Sequence, residues 1–90
     1  MSGFLWAALK GHSRVVRLLL DQPCLDVNQV SLERRNAFMW AAFFKREEVV
    51  DMLLKEAETR DLNLNMTDRE HETAWDYWPE KFGAFRNDRE

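Results

Sequence analysis

Apolar residues recur at helical spacing near the start of the chain. The apolar sides of two short helices are marked by Phe4, Ala7, Ala8, Val15, Val16, Leu19 and Leu20. Between them lie Gly11 and His12, where Gly11 can take the left-handed conformation at low cost, and Ser13 is a suitable N-cap for the second helix. The pattern predicts a helix-turn-helix hairpin over residues 3–21.

The same pattern returns 34 positions later along the chain. Residues 4–20 and 38–54 are identical at 8 of 17 positions. Self-similarity at a period in the thirties indicates stacked units, each too small to bury its own apolar side. We therefore expect a second helix pair at about residues 37–58 and an incomplete third unit that begins at Thr73.

Composition and charge narrow the class of protein. The 90 residues are 46% hydrophobic and 32% charged, which is typical of one domain near the lower size limit for a self-sufficient core. The net charge of −3 comes from interspersed acids and bases, so no basic face is visible and nucleic acid is disfavoured as a ligand. No apolar run approaches the ~20 residues that span a bilayer, so membrane insertion is not expected.

Candidate catalytic and metal-binding residues are few. Cys24 is the only cysteine, which excludes an internal disulfide and a thiolate zinc cluster and fits a reducing compartment. His12 and His71 lie in different units without a companion ligand, and three scattered glycines form no phosphate-binding loop. We predict an intracellular protein, cytoplasmic or nuclear, that is not an enzyme and binds no metal or cofactor.

One motif connects the repeat to a known family. The order Trp-Ala-Ala-x-x-Gly-His-x-x-Val-Val-x-Leu-Leu-Leu, followed by Asp-Val-Asn, stands at residues 6–28 and resembles the ankyrin repeat. The resemblance implies an all-α solenoid of stacked helix-turn-helix units joined by short β-hairpin-like loops, called fingers. It predicts a single domain over residues 1–90, with units at about 1–30, 31–67 and 68–90.

The repeat frame also predicts what lies at the two ends of the stack. The chain starts within the first helix of a unit, so we expect a piece of a longer array in which the apolar side of Phe4 and Val15 has no upstream neighbour. Gly83 and the polar tail at residues 86–90 suit a terminal cap that turns toward solvent.

Several positions depart from the family pattern. Ser2 and Asn36 stand at the threonine position, so the polar network that the family builds there is expected to be missing or altered in both units. Lys45 replaces the glycine of the helix reversal, and the loop after Leu54 is three residues longer than its counterpart, which indicates an extended helix or a bulged finger. Residues 76–79 of the third unit replace the histidine and the paired alanines, so this unit is not expected to pack as a usual hairpin.

The resemblance also implies a binding surface, because ankyrin repeats bind through a concave face of finger tips and outward positions of the first helices. By the matched motif, the partner-binding residues are Leu9, Lys10, Leu32, Glu33, Arg35, Phe43, Phe44, Arg69, Glu70 and Glu72. Phe43 and Phe44 are large, adjacent and at normally solvent-facing positions, which favours an interface hot spot. The alternative is that one ring folds back into the core. Trp6 and Trp40 are predicted to pack between repeats rather than to form a binding ladder.

Two functions follow from this frame. The first is a non-catalytic protein-protein interaction module whose concave face binds a partner protein. The second is a structural segment that docks through an open N-terminal repeat face onto further repeats or a second copy.

Overall fold

A computed structural model describes residues 2–81, and five helices lie within this range: α1 (Gly3–Lys10), α2 (Ser13–Leu20), α3 (Ala37–Phe43), α4 (Glu47–Arg60) and α5 (Ala74–Tyr77). No strand occurs in this part of the chain. Helix α1 pairs with α2 and α3 pairs with α4, while α1 packs on α3, α3 on α5, and α2 on α4. The first helices of the units therefore form one layer and the second helices another, as predicted for a helical solenoid.

The first helix of each unit begins at a capping side chain in the same repeat position. The Ser2 hydroxyl accepts a hydrogen bond from the Leu5 N–H at 3.3 Å, and the Asn36 amide oxygen accepts one from the Met39 N–H at 2.9 Å. Thr73 forms a capping box with Asp76 at the start of α5. These side chains satisfy N–H groups that have no partner within the helix.

The predicted N-cap of α2 is wrong by one residue. Helix α2 begins with Ser13 itself, and His12 is the N-cap, without a side-chain capping hydrogen bond. The helical ladder starts at His12 because its carbonyl accepts from the Val16 N–H at 3.0 Å.

The two helix reversals have the same backbone geometry despite different residues. Gly11 has φ +77° and Lys45 has φ +57°, both left-handed. A Cβ at Gly11 would lie 2.9 Å from Cδ of Arg46, so glycine is favoured there by space as well as by conformation. Lys45 takes the same turn with a side chain, which costs backbone strain.

The core lies between the two layers and joins both hairpins. Ala8, Ala41 and Ala42 are fully buried, and their small side chains let the helices approach closely. Asn36 is also fully buried; besides capping α3, its amide donates to the Asn63 carbonyl at 3.0 Å. The polar residue at the threonine position thus ties the second hairpin to the segment that follows α4.

The longer loop after Leu54 is explained by an extended helix, because α4 continues to Arg60. The Arg60 guanidinium donates to the Leu20 carbonyl, to the Gln22 carbonyl at 2.7 Å and to the Leu25 carbonyl at 3.3 Å. The last carbonyls of a helix lack partners within it. Arg60 therefore caps the end of α2 from the neighbouring unit.

The third unit departs from the hairpin of the first two. Helix α5 has four residues, Trp78 leaves the helical conformation, and residues 79–81 are helical again. Gly83 and the tail at residues 86–90, predicted as a cap, lie outside the described residues.

Candidate functional site

The two fingers are turns of the same shape. In the first, the Ser31 N–H donates to the Arg35 carbonyl at 3.1 Å and Arg34 is left-handed; in the second, the Asp68 N–H donates to the Glu72 carbonyl at 3.0 Å. Each resembles a short hairpin without an assigned strand. The two finger tips therefore have the same backbone shape.

Direct contacts join the finger tips. The Arg69 guanidinium donates to the Leu32 carbonyl at 2.7 Å, and the Arg69 N–H donates to the Glu33 carbonyl at 3.2 Å. Leu32 is 86% exposed, and a hydrogen bond from Ser31 is the main reason why the pKa of Glu33 lies below its ordinary value. The tips thus present an exposed apolar side chain beside a carboxylate that stays charged.

Four rings form an aromatic cluster below the fingers, at the end of α3: Trp40, Phe43, Phe44 and Tyr77. The Phe43 and Phe44 rings meet edge to face with centroids 5.1 Å apart, Phe44 stacks on Trp40 at 5.9 Å, and Phe43 meets Tyr77 at 5.3 Å. Phe43 and Phe44 remain 43% and 42% exposed. Both rings therefore offer apolar surface while their contacts with neighbours fix their orientation.

Arg35 covers this cluster from the first finger. Its guanidinium carbon lies 4.9 Å from the Trp40 ring centroid, 4.6 Å from that of Phe43 and 5.4 Å from that of Tyr77. Its Nε donates to the Tyr77 hydroxyl at 3.0 Å and lies 3.4 Å from a carboxylate oxygen of Asp68. One cation thus connects the finger to three rings and to the buried acid.

Asp68 anchors the second finger to the cluster. Its side chain is 1% exposed and accepts hydrogen bonds from the Tyr77 hydroxyl and from the N–H groups of Glu70 and Glu72, at 2.8 and 3.0 Å. Burial raises the pKa of Asp68, but these hydrogen bonds and the charge of Arg35 outweigh it, so the net pKa is lowered. The ion pair is consequently kept charged at neutral pH.

The pKa values of Tyr77 and Arg35, the partners of Asp68, are both raised, which favours the forms that donate hydrogen bonds. Burial and then the Asp68 carboxylate raise the pKa of Tyr77, so its hydroxyl stays protonated and donates. Burial lowers the pKa of Arg35, but the hydrogen bond to Tyr77 and the charge of Asp68 outweigh it and the net pKa is raised. These directions keep Arg35 and Asp68 charged and Tyr77 neutral at neutral pH.

Arg46 connects the first hairpin to the cluster. Its Nε donates to the Leu9 carbonyl at 2.8 Å, and its guanidinium carbon lies 5.9 Å from the Phe44 ring centroid. Leu9 is half-buried, whereas Lys10 is exposed and its ammonium lies 5.0 Å from the Trp6 ring centroid.

Residues 2–81 contain neither a cluster of metal ligands nor a membrane-spanning helix. No three His, Cys, Asp or Glu side chains are grouped there as a metal site. None of the helices in this range has the length and apolar character needed to cross a bilayer.

Comparison with known proteins decides the family. A family model of ankyrin repeats in three copies matches residues 2–73. The chain belongs to the ankyrin repeat family. Ankyrin repeats are generally protein-protein interaction modules, and their fold is non-catalytic. The matched segment ends at the N-cap of α5.

Solved structures show the same fold. One chain of the Bd0816 predatory endopeptidase from Bdellovibrio bacteriovorus in complex with immunity protein Bd3460 is similar with a TM-score of 0.72 at 22% identity. The similarity covers 93% of this chain and 46% of that one, so this chain spans about half of its length. No curated protein sequence matches significantly.

The structure brings most of the predicted ankyrin binding residues into contact. Phe43 and Phe44 meet Arg35, the finger tips join Leu32 and Glu33 to Arg69, and Arg46 links Leu9 to Phe44. The exposed side chains of Glu70 and Glu72 flank the second finger, and Lys10 lies beside Trp6. A role in binding stays a prediction for each of them.

Sequence reasoning missed three residues that hold this surface: Asp68 as an anchor, Arg46 as a link, and Tyr77 as a ring of the cluster. Tyr77 stands four residues after the helix cap Thr73, as Trp40 stands four after the cap Asn36. The repeat frame therefore contained the signal for an aromatic residue at this position of the third ankyrin unit.

The prediction for the two tryptophans is half right. Trp40 is 7% exposed and belongs to the core cluster shared by the two hairpins, which is consistent with packing between repeats, and its indole N–H donates to the Ser31 hydroxyl at 3.2 Å. Trp6 is 50% exposed, so the same prediction is wrong for it, because no described residue covers it as Arg35 and Ser31 cover Trp40.

The prediction for the upstream apolar side is also half right. Val15 is 44% exposed as expected. Phe4 is only 3% exposed because it belongs to the core shared by the two hairpins, so the expectation that it lacks a neighbour is wrong.

Proposed function

We propose that this chain is a non-catalytic module that binds another protein through its concave face, centred on Phe43 and Phe44. One observation carries the proposal: two adjacent phenylalanine rings each keep about two fifths of their surface exposed while they contact each other and their neighbours. Exposed aromatic side chains with fixed orientation are typical interface hot spots.

Preorganisation supports the choice of these rings as the centre of the surface. Arg35 lies against Phe43, Trp40 stacks on Phe44, and Tyr77 lies at the edge of Phe43. Ordering side chains on binding costs about 0.5–1.5 kcal/mol for each rotamer-rich group. Rings that are already held in place lose less conformational entropy on binding, so more of the contact energy remains as affinity.

The surroundings of the rings define the extent of the surface. The finger tips at Leu32, Glu33 and Arg69 lie on one side, and Leu9 lies on the other through its contact with Arg46. We infer that a partner segment crosses from the fingers to the helix reversals over the aromatic cluster. We infer also that the chain acts without a cofactor and inside the cell.

The experiment compares matched pairs of exposed apolar residues. Proteins from the source cells are captured on the wild-type chain, on F43S/F44S and on V15S/L18S, and are quantified by mass spectrometry. A protein that depends on Phe43 and Phe44 is then purified and titrated by calorimetry. Truncating hot-spot aromatics typically costs about 2 kcal/mol or more, so we expect F43S/F44S to weaken binding by well over tenfold.

The control excludes a trivial loss of fold. Far-UV circular dichroism of F43S/F44S should match that of the wild-type chain, and V15S/L18S should bind the same partner normally because Val15 and Leu18 lie on the first hairpin, away from the cluster. If every captured protein binds the folded F43S/F44S variant as well as the wild-type chain, the concave-face proposal is wrong.

A second candidate function is assembly through the open N-terminal face of the first hairpin. The exposure of three apolar side chains favours it: Trp6 is 50% exposed, Val15 44% and Leu18 60%. Docking onto further repeats or a second copy would bury these side chains. Sedimentation velocity over a range of concentrations tests the second-copy form, because a self-associating chain sediments faster as concentration rises. A monomer at all concentrations contradicts it.

A further inference from the structure

The first hairpin has an uncovered apolar side that we call the N-terminal face; it is formed by Trp6, Val15 and Leu18. The same repeat positions in the second hairpin are occupied by Trp40, Val49 and Met52. Trp40 is 7% exposed and Val49 is 1% exposed, whereas Trp6 is 50% and Val15 is 44% exposed. The residue types at these positions are nearly the same in the two hairpins, whereas their solvent exposure differs.

The second hairpin shows what kind of element this side accommodates. Its N-terminal side meets the first hairpin, since α1 packs on α3 and α2 packs on α4, while Arg35 and Ser31 of the first finger cover Trp40. Val15 and Leu18 are three residues apart on α2, so they lie on one side of that helix. Apolar side chains presented this way by two neighbouring helices form a surface against which another helix packs.

Charge restricts which helix can dock. Residues 1–20 contain Lys10, Arg14 and Arg17 but no acidic residue, whereas all sixteen Asp and Glu residues of the chain lie in residues 21–90. The three cations are exposed, and none forms a salt bridge with a described residue. The first hairpin is therefore a basic element on an acidic chain, and it attracts a partner of negative charge.

We propose that the N-terminal face is a second docking surface, which binds an acidic amphipathic helix of another protein. The apolar side of that helix covers Trp6, Val15 and Leu18, and its acidic residues meet Arg14 and Lys10. This inference does not depend on the concave-face proposal, because it rests on Trp6, Val15 and Leu18; the two surfaces share Lys10 but neither Phe43 nor Phe44.

A second copy of the chain fits this face less well. Two copies joined through the same face would place two sets of Lys10 and Arg14 at one interface. Like charges held together at an interface oppose association, whereas a negatively charged helix gains from them. The partner is thus expected to be a different protein.

The test uses a displayed library of amphipathic helical peptides whose apolar positions are fixed and whose other positions vary among Glu, Lys, Gln and Ala. Selection on the wild-type chain is expected to enrich Glu over Lys. The affinity of the selected peptides should fall by more than tenfold for V15S/L18S and by about tenfold for R14E, which corresponds to about 1.4 kcal/mol. It should also fall as salt concentration rises.

Matched variants separate this face from the concave one. F43S/F44S should bind the selected acidic peptides as the wild-type chain does, while V15S/L18S should keep the far-UV spectrum because both residues are exposed. Peptides lost with F43S/F44S but not with V15S/L18S would assign them to the concave face and overturn the proposal.

Three further results would overturn it. The first is a selection without an excess of Glu over Lys. The second is concentration-dependent dimerisation that V15S/L18S abolishes, which would make a second copy the occupant. The third is failure of the selected peptides to bind the longest natural form of the protein, which would mean that other residues of the same polypeptide cover the face.

Discussion

The two helix pairs of this chain share a sequence motif and differ in their neighbours. The first pair has α3 and α4 on one side, whereas on the other side Trp6 stays 50% exposed and contacts Lys10 and His12 of its own pair. The second pair lies between the first pair and α5, so that α3 contacts α1, α4 and α5. Valine occupies the same repeat position in both pairs, yet Val15 is 44% exposed and Val49 is 1% exposed.

This difference shows that burial in a repeat protein is a property of the stack. Each unit contacts its neighbours along the chain, so its stability depends on the interfaces that it forms with them. The second pair has two such interfaces within the described residues, and the first has one. Equivalent substitutions should therefore cost more in the second pair, and this expectation is open to direct tests.

The largest contrast is expected at the equivalent tryptophans. Trp40→Ala should lower the free energy of unfolding by about 3–5 kcal/mol, because it removes a buried ring and the packing around it. Trp6→Ala should lower it by no more than about 1 kcal/mol, since half of the ring is exposed and most surface changes have small effects. Urea unfolding followed by far-UV circular dichroism measures both values; similar losses would contradict the difference between the two pairs.

Local features of the fold were predicted from the sequence because they depend on neighbouring residues. The helix pairs and the left-handed turn at Gly11 follow from periodicity and from the repeat frame. The positions of Trp6 and Phe4 were predicted wrongly because burial depends on what another unit covers. Identical motifs carry no information on that point.

The parts of the site that were missed depend on residues far apart in the chain. The network joins residues from two fingers and α5, namely Arg35, Asp68 and Tyr77. No local pattern in the sequence predicts contacts between residues so far apart. The basic character of the first hairpin was missed for another reason. Acids and bases appear mixed when the whole chain is considered, and the absence of acids from residues 1–20 emerges only when charge is counted for each unit.

The next contrast tests how the two pairs are joined. Arg60→Ala removes three hydrogen bonds to carbonyls at and after the end of α2. Hydrogen bonds from charged groups contribute about 1.5–3 kcal/mol, so we expect a loss of about 2 kcal/mol in the free energy of unfolding. Glu58→Ala, at an exposed position two residues earlier on α4, is the control and should have little effect. An equal response of the two variants would mean that Arg60 does not join the units.

A smaller and pH-dependent contrast is expected at the contact between the second finger and α5. The lowered pKa of Asp68 means that its charged form stabilises the fold above the pKa of the unfolded chain, and that this stabilisation is lost as pH falls through the folded value. Asp68→Asn should therefore be less stable than the wild-type chain at neutral pH, and the gap should narrow below about pH 4.

Urea unfolding of both proteins at neutral and acidic pH measures this gap. The control is Asp51→Asn, an exposed carboxylate on α4 that pairs with Lys81. Its effect should be small at either pH, because exposed ion pairs contribute little to stability. If the difference in free energy of unfolding between Asp68→Asn and the wild-type chain does not change with pH, the charge of the Asp68 carboxylate does not contribute to stability.

The smallest contrast lies at the two helix reversals. Lys45→Gly removes the strain of a side chain at φ +57°, but it also gives the unfolded chain more freedom, so we expect a gain of no more than about 1 kcal/mol. Gly11→Ala should destabilise, because the added Cβ lies 2.9 Å from Cδ of Arg46 at φ +77°. Opposite signs in thermal or urea unfolding would confirm that the first pair has the residue suited to its turn and that the second tolerates strain. A loss of stability in Lys45→Gly would mean instead that the lysine side chain contributes more than its backbone costs.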